Sequence, residues 1–151
     1  MSNALQKNSE GEKKKKVVMV SGGFDPVHIG HLRMFEEAKK LGDHLVVVIN
    51  CDNWLIRKKG KAFMSSIDRS EIIKGFRCVD EVYVLESDHN HVSEALELFK
   101  PHIFANGGDR KAEADIPEAE TCKKHGIEMI FNIGHGGKVR SSSDLLKEYH
   151  I

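Results

Sequence analysis

The sequence predicts an α/β fold: a three-layer, Rossmann-like, doubly wound sheet of about five parallel strands. Short apolar runs and stretches with helical periodicity alternate along the 151 residues, and such alternation is typical of parallel strands joined by right-handed crossovers. Residues 45–49, within the predicted strand 44–50, form a continuous apolar run, as expected for a strand covered on both faces. The length suits one domain. We therefore assign residues 1–16 to a disordered polar tail and residues 17–151 to a single domain.

Local patterns justify each element in turn. The predicted strands are β-rich or apolar runs, at residues 17–21, 44–50, 81–85, 102–105 and 128–132. The predicted helices have apolar residues at helical spacing, or caps and breakers at their ends, at residues 30–41, 68–76, 92–99, 117–125 and 141–149. Ser65, Ser66 and Asp68 are the candidate caps of the second helix. Residues 51–66 are polar and are predicted to be irregular.

Composition excludes several classes of protein. The chain has 23 basic and 23 acidic residues, so no basic excess points to bulk nucleic-acid binding. No apolar run approaches the ~18 residues that a membrane span requires, and the polar N-terminus lacks a signal-peptide core. The three cysteines, Cys51, Cys78 and Cys122, form neither a disulfide framework nor a zinc spacing. We expect a cytoplasmic protein that binds neither nucleic acid nor membrane.

The first predicted strand leads into a candidate anion site. Gly22 and Gly23 follow the strand, and His28, Gly30 and His31 stand at the start of the next helix. Backbone N–H groups and the helix dipole favour negative charge at such a position. Histidines three residues apart share one face of a helix, and the glycine between them lets a phosphate approach closely. The spacing matches neither the G-x-G-x-x-G fingerprint nor a Walker A loop.

Two other interpretations concern nearby charged residues. A metal pair is disfavoured because Asp25 is the one acidic residue near the histidines, so we predict no protein metal site. The lysine run that ends at Lys16 is interpreted as a solvated arm. The alternative is that Lys16, next to the first strand, helps to hold an anionic ligand.

Residues 22–31, Gly-Gly-Phe-Asp-Pro-Val-His-Ile-Gly-His, resemble the HxGH signature of the nucleotidyltransferase, or cytidylyltransferase-like, superfamily. The resemblance covers nearly all of the chain after the tail. Arg69 and the serine triplet 141–143 are similar to two further features of that family, although residues 138–140, Lys-Val-Arg, depart from the usual pattern before the triplet. Residues 107–111, Gly-Gly-Asp-Arg-Lys, are similar to the heptose 1-phosphate adenylyltransferase branch, which is related to glycerol-3-phosphate cytidylyltransferases.

The resemblance implies transfer of a nucleoside monophosphate from a nucleoside triphosphate (NTP) to a sugar phosphate, with release of pyrophosphate. ATP and a heptose 1-phosphate-like acceptor are favoured. The alternatives are a CTP-dependent enzyme acting on glycerol 3-phosphate or another small alcohol phosphate, and a non-catalytic nucleotide-binding module on the same fold. Mg²⁺ is expected on the triphosphate, held mainly by phosphate oxygens. A homodimer is also implied.

The family's roles fall on three groups of residues. The implied catalytic residues are His28, His31 and Lys59. The implied nucleotide-binding residues are the two histidines together with Gly22, Gly23, Phe24, Gly30, Gly108, Asp109, Arg140, Ser141, Ser142 and Ser143. The implied acceptor-binding residues are Asp25, Asn50, Asp52, Lys61, Arg69 and Arg110. Whether Lys59 or Lys61 is the functional lysine, and whether Arg140 or Lys147 grips the phosphates, stays open.

Overall fold

Five strands form one parallel sheet in the computed structural model, which describes residues 15–87, 91–107 and 117–133. The strands are β1 (Val17–Gly22), β2 (His44–Asn50), β3 (Glu81–Leu85), β4 (Ile103–Gly107) and β5 (Glu128–Ile133). The helices in the described ranges are α1 (Ile29–Lys39), α2 (Asp52–Lys59), α3 (Ser66–Lys74), α4 (Ser93–Phe99) and α5 (Ala119–His125). The sheet order is β3-β2-β1-β4-β5, with every pair parallel. The predicted fold class is confirmed.

The two faces of the sheet carry separate hydrophobic clusters because successive side chains of a strand point to opposite sides. Val18 and Val20 of β1 pack in one cluster together with Phe35 of α1 and Ile73 of α3. Met19 packs in the other cluster, with residues of α2, α4 and α5. The helices therefore cover both faces, which is the three-layer arrangement that the sequence predicts.

Helix α2 corrects the prediction that residues 51–66 are irregular. Its sequence is mostly polar and charged, and only Trp54 and Leu55 are buried, 6% and 2% exposed. Three adjacent apolar residues, Trp54 to Ile56, give no helical periodicity, so the local pattern could not reveal the helix. Gly60 ends it in the left-handed conformation, at φ 91°, which glycine adopts without steric cost.

Other element boundaries agree with prediction to within two residues. Helix α3 begins at Ser66 because the Ser65 side chain accepts a hydrogen bond from Asp68 N, 3.2 Å away, which selects one of the three cap candidates. Gly126 follows α5 in the left-handed conformation, φ 68°. The predicted helix at residues 141–149 lies outside the described residues.

The strand order indicates at which edge of the sheet a ligand is expected to bind. Chain order reverses between β1 and β4, which are neighbours in the sheet. In doubly wound sheets ligands bind at this switch point, outside the carboxyl ends of the strands. The loop from β1 to α1, which carries the glycines and histidines, begins at that edge. None of the described helices is long and apolar enough to span a membrane.

Candidate active site

His28 and His31 together build the start of α1. His28 is the N-cap residue, and its Nδ1 accepts a hydrogen bond from Gly30 N at 3.1 Å. The Nδ1 atom of His31 accepts in turn from His28 N at 3.2 Å. A neutral imidazole carries its hydrogen on one nitrogen only. Since Nδ1 accepts in both rings, Nε2 carries the hydrogen in both, and each ring is equipped to donate to an anion through Nε2.

The two imidazoles lie on one side of the helix start, as the spacing predicts. Their ring centroids are 3.8 Å apart, with an interplanar angle of 26°. The edge of the Phe24 ring meets His31, with centroids 4.9 Å apart, and Phe24 also contacts Phe35 of the core. Phe24 therefore connects the histidine pair to the rigid interior, which limits rotation of the rings.

The glycines of this loop are required by packing. A Cβ atom at Gly22 would lie 2.9 Å from the Phe24 ring, and one at Gly23 would lie 2.9 Å from a methyl group of Leu55 in α2. The Phe24 backbone has φ 52°, a left-handed value that is uncommon for a side chain of this kind. These features turn the Phe24 ring back over the end of β1. Gly22, Gly23, Phe24 and Gly30 thus all lie in the loop or helix start that carries the histidines.

Asp25 occupies a different place from the one expected of an acceptor-binding residue. It is 1% exposed, and its two carboxylate oxygens accept hydrogen bonds from Phe63 N and Met64 N, each at 2.6 Å. Both oxygens therefore face the chain itself. Asp25 joins the β1–α1 loop to the segment between α2 and α3, and its role is structural.

Lys59, the last residue of α2, is brought to the same loop. Its Nζ donates a hydrogen bond to the Asp25 backbone oxygen at 3.2 Å. Partial burial lowers the pKa of Lys59 from its ordinary value of 10.5, the positive charges of Lys58 and Arg69 lower it further, and the Asp25 charge raises it in part. A cation disfavoured in this way gains from an anionic ligand. Lys61 lies two residues beyond, on the exposed segment after α2.

Arg69 is also placed inside the protein, away from the surface expected of a substrate-binding residue. It is 0% exposed, and its Nη1 donates to the carbonyls of Gly23 and Asn50, each at 2.7 Å. Its Nη2 pairs with Asp52 Oδ1 at 2.7 Å. The guanidinium therefore holds the ends of β1 and β2 and the start of α2 in one arrangement. Arg69 and Asp52 act here as positioning residues.

Asn50 lies at the carboxyl end of β2, where it was predicted to meet the acceptor. The residue is buried, and its Oδ1 has no hydrogen-bond partner within the described part of the chain. An unsatisfied buried acceptor is uncommon in folded proteins. The side-chain oxygen of Asn50 can therefore accept a hydrogen bond from a ligand that binds at this edge of the sheet.

Similarity to known proteins agrees with this geometry. Residues 19–136 match the family model described as Cytidylyltransferase-like. The chain belongs to the cytidylyltransferase-like family. It is 37% identical to a FAD synthase from Thermococcus sibiricus over 142 residues, which is 92% of each chain. It is 35% identical to the bifunctional protein HldE from Haemophilus ducreyi over 138 residues, covering 89% of this chain and 28% of HldE.

The fold of this chain is also similar to that of a solved structure. A lipopolysaccharide core biosynthesis protein from Thermoplasma volcanium superimposes with a TM-score of 0.68 and 31% identity, covering 84% of this chain and 100% of that one. Since its family and its relatives are nucleotidyltransferases, this chain is a nucleotidyltransferase. The resemblance stated from residues 22–31 is therefore confirmed.

Several predicted residues of this cytidylyltransferase-like chain lie outside the described ranges, and their roles stay predictions: Gly108, Asp109, Arg110, Arg140, Ser141, Ser142, Ser143 and Lys147. Within those ranges, no three His, Cys, Asp or Glu side chains come together in a way that could hold a metal ion.

Lys16 lies at the opposite edge of the sheet from the histidines. Its carbonyl accepts from Asp43 N and His44 N at the start of β2, and its own N–H donates to Asp43 Oδ2. The six residues of β1 separate it from the loop, a span of about 20 Å at ~3.3 Å per residue. The hypothesis that Lys16 holds the ligand of this site is therefore wrong.

Phe63 was missed by sequence reasoning. It is 46% exposed, and the Asp25 carboxylate fixes its backbone beside the histidine loop. The available signal was a large aromatic residue in an otherwise polar segment, next to Lys59 and Lys61.

Proposed function

We propose that this nucleotidyltransferase transfers the adenylyl group of ATP to the phosphate of flavin mononucleotide (FMN), producing FAD and pyrophosphate. The observation that carries the proposal is the 37% identity to a FAD synthase across 92% of both chains. The match therefore covers the segments around the site as well as the nucleotide loop.

The reaction needs positioning and charge stabilisation more than covalent chemistry. An oxygen of the FMN phosphate forms a bond to the α-phosphorus of ATP. The bond from that phosphorus to the α–β bridging oxygen breaks, and its electron pair leaves with pyrophosphate. No oxidant or reductant is required.

The described residues have defined tasks in this scheme. The Nε2–H groups of His28 and His31 donate to phosphate oxygens of ATP, whose charge increases in the transition state. The Lys59 ammonium neutralises a phosphate that approaches the Asp25 loop. Arg69 and Asp25 hold these segments in place, and Asn50 Oδ1 accepts a hydrogen bond from the ligand.

Mg²⁺ enters this scheme as part of the ATP substrate, as the resemblance to the family implies. Phosphate oxygens and water are its usual ligands in nucleotide sites. Bound to ATP, the ion would neutralise charge on the triphosphate.

A sugar phosphate such as heptose 1-phosphate, with ATP, is the second candidate acceptor. It is supported by the similarity to HldE, which extends over 89% of this chain. A cytoplasmic location remains a prediction from the cysteine pattern of the sequence. The homodimer remains a prediction that light scattering can test.

The decisive assay combines four NTPs with FMN, heptose 1-phosphate and glycerol 3-phosphate, and measures both pyrophosphate and the nucleotidylated product. We expect ATP with FMN to give FAD and pyrophosphate in equal amounts. Turnover of heptose 1-phosphate in place of FMN would transfer the proposal to the second candidate, and turnover of CTP with glycerol 3-phosphate would select the cytidylyltransferase. NTP binding without pyrophosphate release for any pair would identify a non-catalytic module.

A further inference from the structure

Phe63 differs from every other aromatic side chain in the described ranges. Among their Phe, Trp and Tyr residues it is the one exposed to solvent, with 46% of its surface accessible. Trp54 and Phe24 are buried in the core clusters, and Tyr83 packs edge-on against Phe99. Phe63 is therefore the described aromatic residue that is available to a planar ligand.

The backbone around Phe63 is held on both sides. Phe63 N and Met64 N each donate to the Asp25 carboxylate at 2.6 Å, and the Met64 carbonyl accepts from Arg69 Nε at 3.0 Å. Charge-assisted bonds of this length are strong. The exposed ring thus projects from a fixed support.

The support is the loop that carries the histidines. Asp25 lies three residues before His28, and the same Asp25 accepts a hydrogen bond from Lys59 through its backbone oxygen. The aromatic residue Phe63 and the cationic residue Lys59 are therefore both hydrogen-bonded to Asp25. An acceptor that meets both must combine a phosphate with an apolar, planar part.

FMN has this combination, because its ribityl chain separates a flat isoalloxazine ring from a phosphate, whereas a heptose phosphate has no planar aromatic ring. Stacking of a planar heterocycle on an aromatic side chain strengthens binding by about 5- to 150-fold.

We propose that Phe63 is a specificity-determining residue whose side chain stacks on the planar ring of the acceptor while Lys59 attracts the acceptor phosphate. This inference rests on the proposed FAD synthesis and adds to it the residue that separates a flavin from a sugar phosphate.

The test compares Phe63→Ala and Phe63→Trp with the wild-type protein. We expect Phe63→Ala to raise the KM for FMN by about 5- to 150-fold, with the KM for ATP and the melting temperature unchanged. Phe63→Trp keeps a stacking surface and should retain a KM for FMN near the wild-type value. Binding of FMN, measured by isothermal titration calorimetry without ATP, should weaken in Phe63→Ala and persist in Phe63→Trp.

Leu98→Ala is the matched control, because Leu98 is an exposed apolar residue near the end of α4. The chain continues from there to the amino end of β4, away from the carboxyl edge of the sheet. We expect no change in either KM. Wild-type FAD synthesis with an unchanged KM for FMN in Phe63→Ala would overturn this inference alone. Absence of FAD synthesis by the wild type would overturn the proposed function and the inference together.

Discussion

The imidazole of His31 stacks on that of His28 at a centroid distance of 3.8 Å, and each ring accepts a backbone N–H through Nδ1. The two residues are thus both the cap of α1 and the candidate donors to phosphate. Structural and chemical roles reside on different nitrogens of the same ring, so substitutions can separate them.

Replacing His28 with Asn or with Ala should separate these roles. Asn at the N-cap can still accept a hydrogen bond from the helix start, but it lacks the Nε2–H donor. We expect His28→Asn to keep the melting temperature while turnover falls about 100-fold, the typical loss of one transition-state donor. His28→Ala should show the same kinetic loss and also lose about 1 kcal/mol of stability. Near-normal turnover in His28→Asn would contradict the assigned role.

The lowered pKa of Lys59 predicts how activity depends on alkaline pH. Only the protonated amine attracts phosphate, so kcat/KM should decline at a lower pH than for a lysine of ordinary pKa. Lys59→Arg should move this decline upward, because a guanidinium stays charged beyond pH 12. Lys59→Met should reduce kcat/KM about 100-fold at pH 7. The measurement is kcat/KM as a function of pH for the wild type and for each variant.

Lys58→Met provides the control for this profile. Lys58 is exposed, and its charge contributes to lowering the pKa of Lys59. Its removal should leave the rate at pH 7 unchanged and shift the alkaline decline slightly upward. If kcat/KM of Lys59→Met declined at the same alkaline pH as that of the wild type, a group other than Lys59 would be responsible for the decline.

Arg69→Met should be strongly destabilising. The guanidinium is fully buried and donates to the Gly23 and Asn50 carbonyls, and its loss leaves these acceptors without donors. Removal of one member of a buried charged network costs about 3–5 kcal/mol. Urea unfolding should show this loss, whereas Arg77→Met, at an exposed position in the turn after α3, should change stability by less than about 0.5 kcal/mol.

Asp52→Asn extends this test to activity without risking the fold. It weakens one contact of Arg69, at a carboxylate that is 41% exposed, so the protein should remain folded. We expect kcat to fall more than the KM for ATP rises, because the loop that carries the histidines loses part of its support. An unchanged kcat would confine Arg69 to a role in stability.

Asp80 should make stability depend on acidic pH. Burial acts to raise its pKa, but hydrogen bonds from Lys39 Nζ and Leu45 N, with the Lys39 and His44 charges, bring the pKa below its ordinary value. A depressed folded-state pKa contributes stability above the unfolded pKa, about 3.9, and the contribution is lost as pH falls toward the folded value. Asp80→Asn should therefore lower the urea midpoint at pH 7, and the difference from wild type should shrink by pH 3.

Water screens the partly exposed Lys39–Asp80 pair, so the loss at pH 7 should not exceed about 1 kcal/mol. Glu37→Gln is the control, because the Glu37–Lys40 pair is longer, 3.7 Å, and more exposed. A difference between wild type and Asp80→Asn that stays constant with pH would contradict the assignment.

The local sequence pattern was sufficient to predict the strands, four of the five described helices and the shared face of His28 and His31. These depend on period, capping and spacing within about ten residues. The roles of Asp25 and Arg69 could not be predicted in this way. The Asp25 bond to Phe63 spans 38 residues and the Arg69 bond to Gly23 spans 46, so both exist only once the sheet has brought distant segments together.

The placement of Lys16 has a practical consequence for handling the protein. Because β1 begins next to Lys16 and ends at the histidine loop, a tag or surface linker attached directly to residue 15, in place of residues 1–14, would be joined at the edge of the sheet opposite the histidines. Immobilised through such a linker, the enzyme would present its reactive edge to solution, which suits binding measurements with ATP and FMN on a sensor surface.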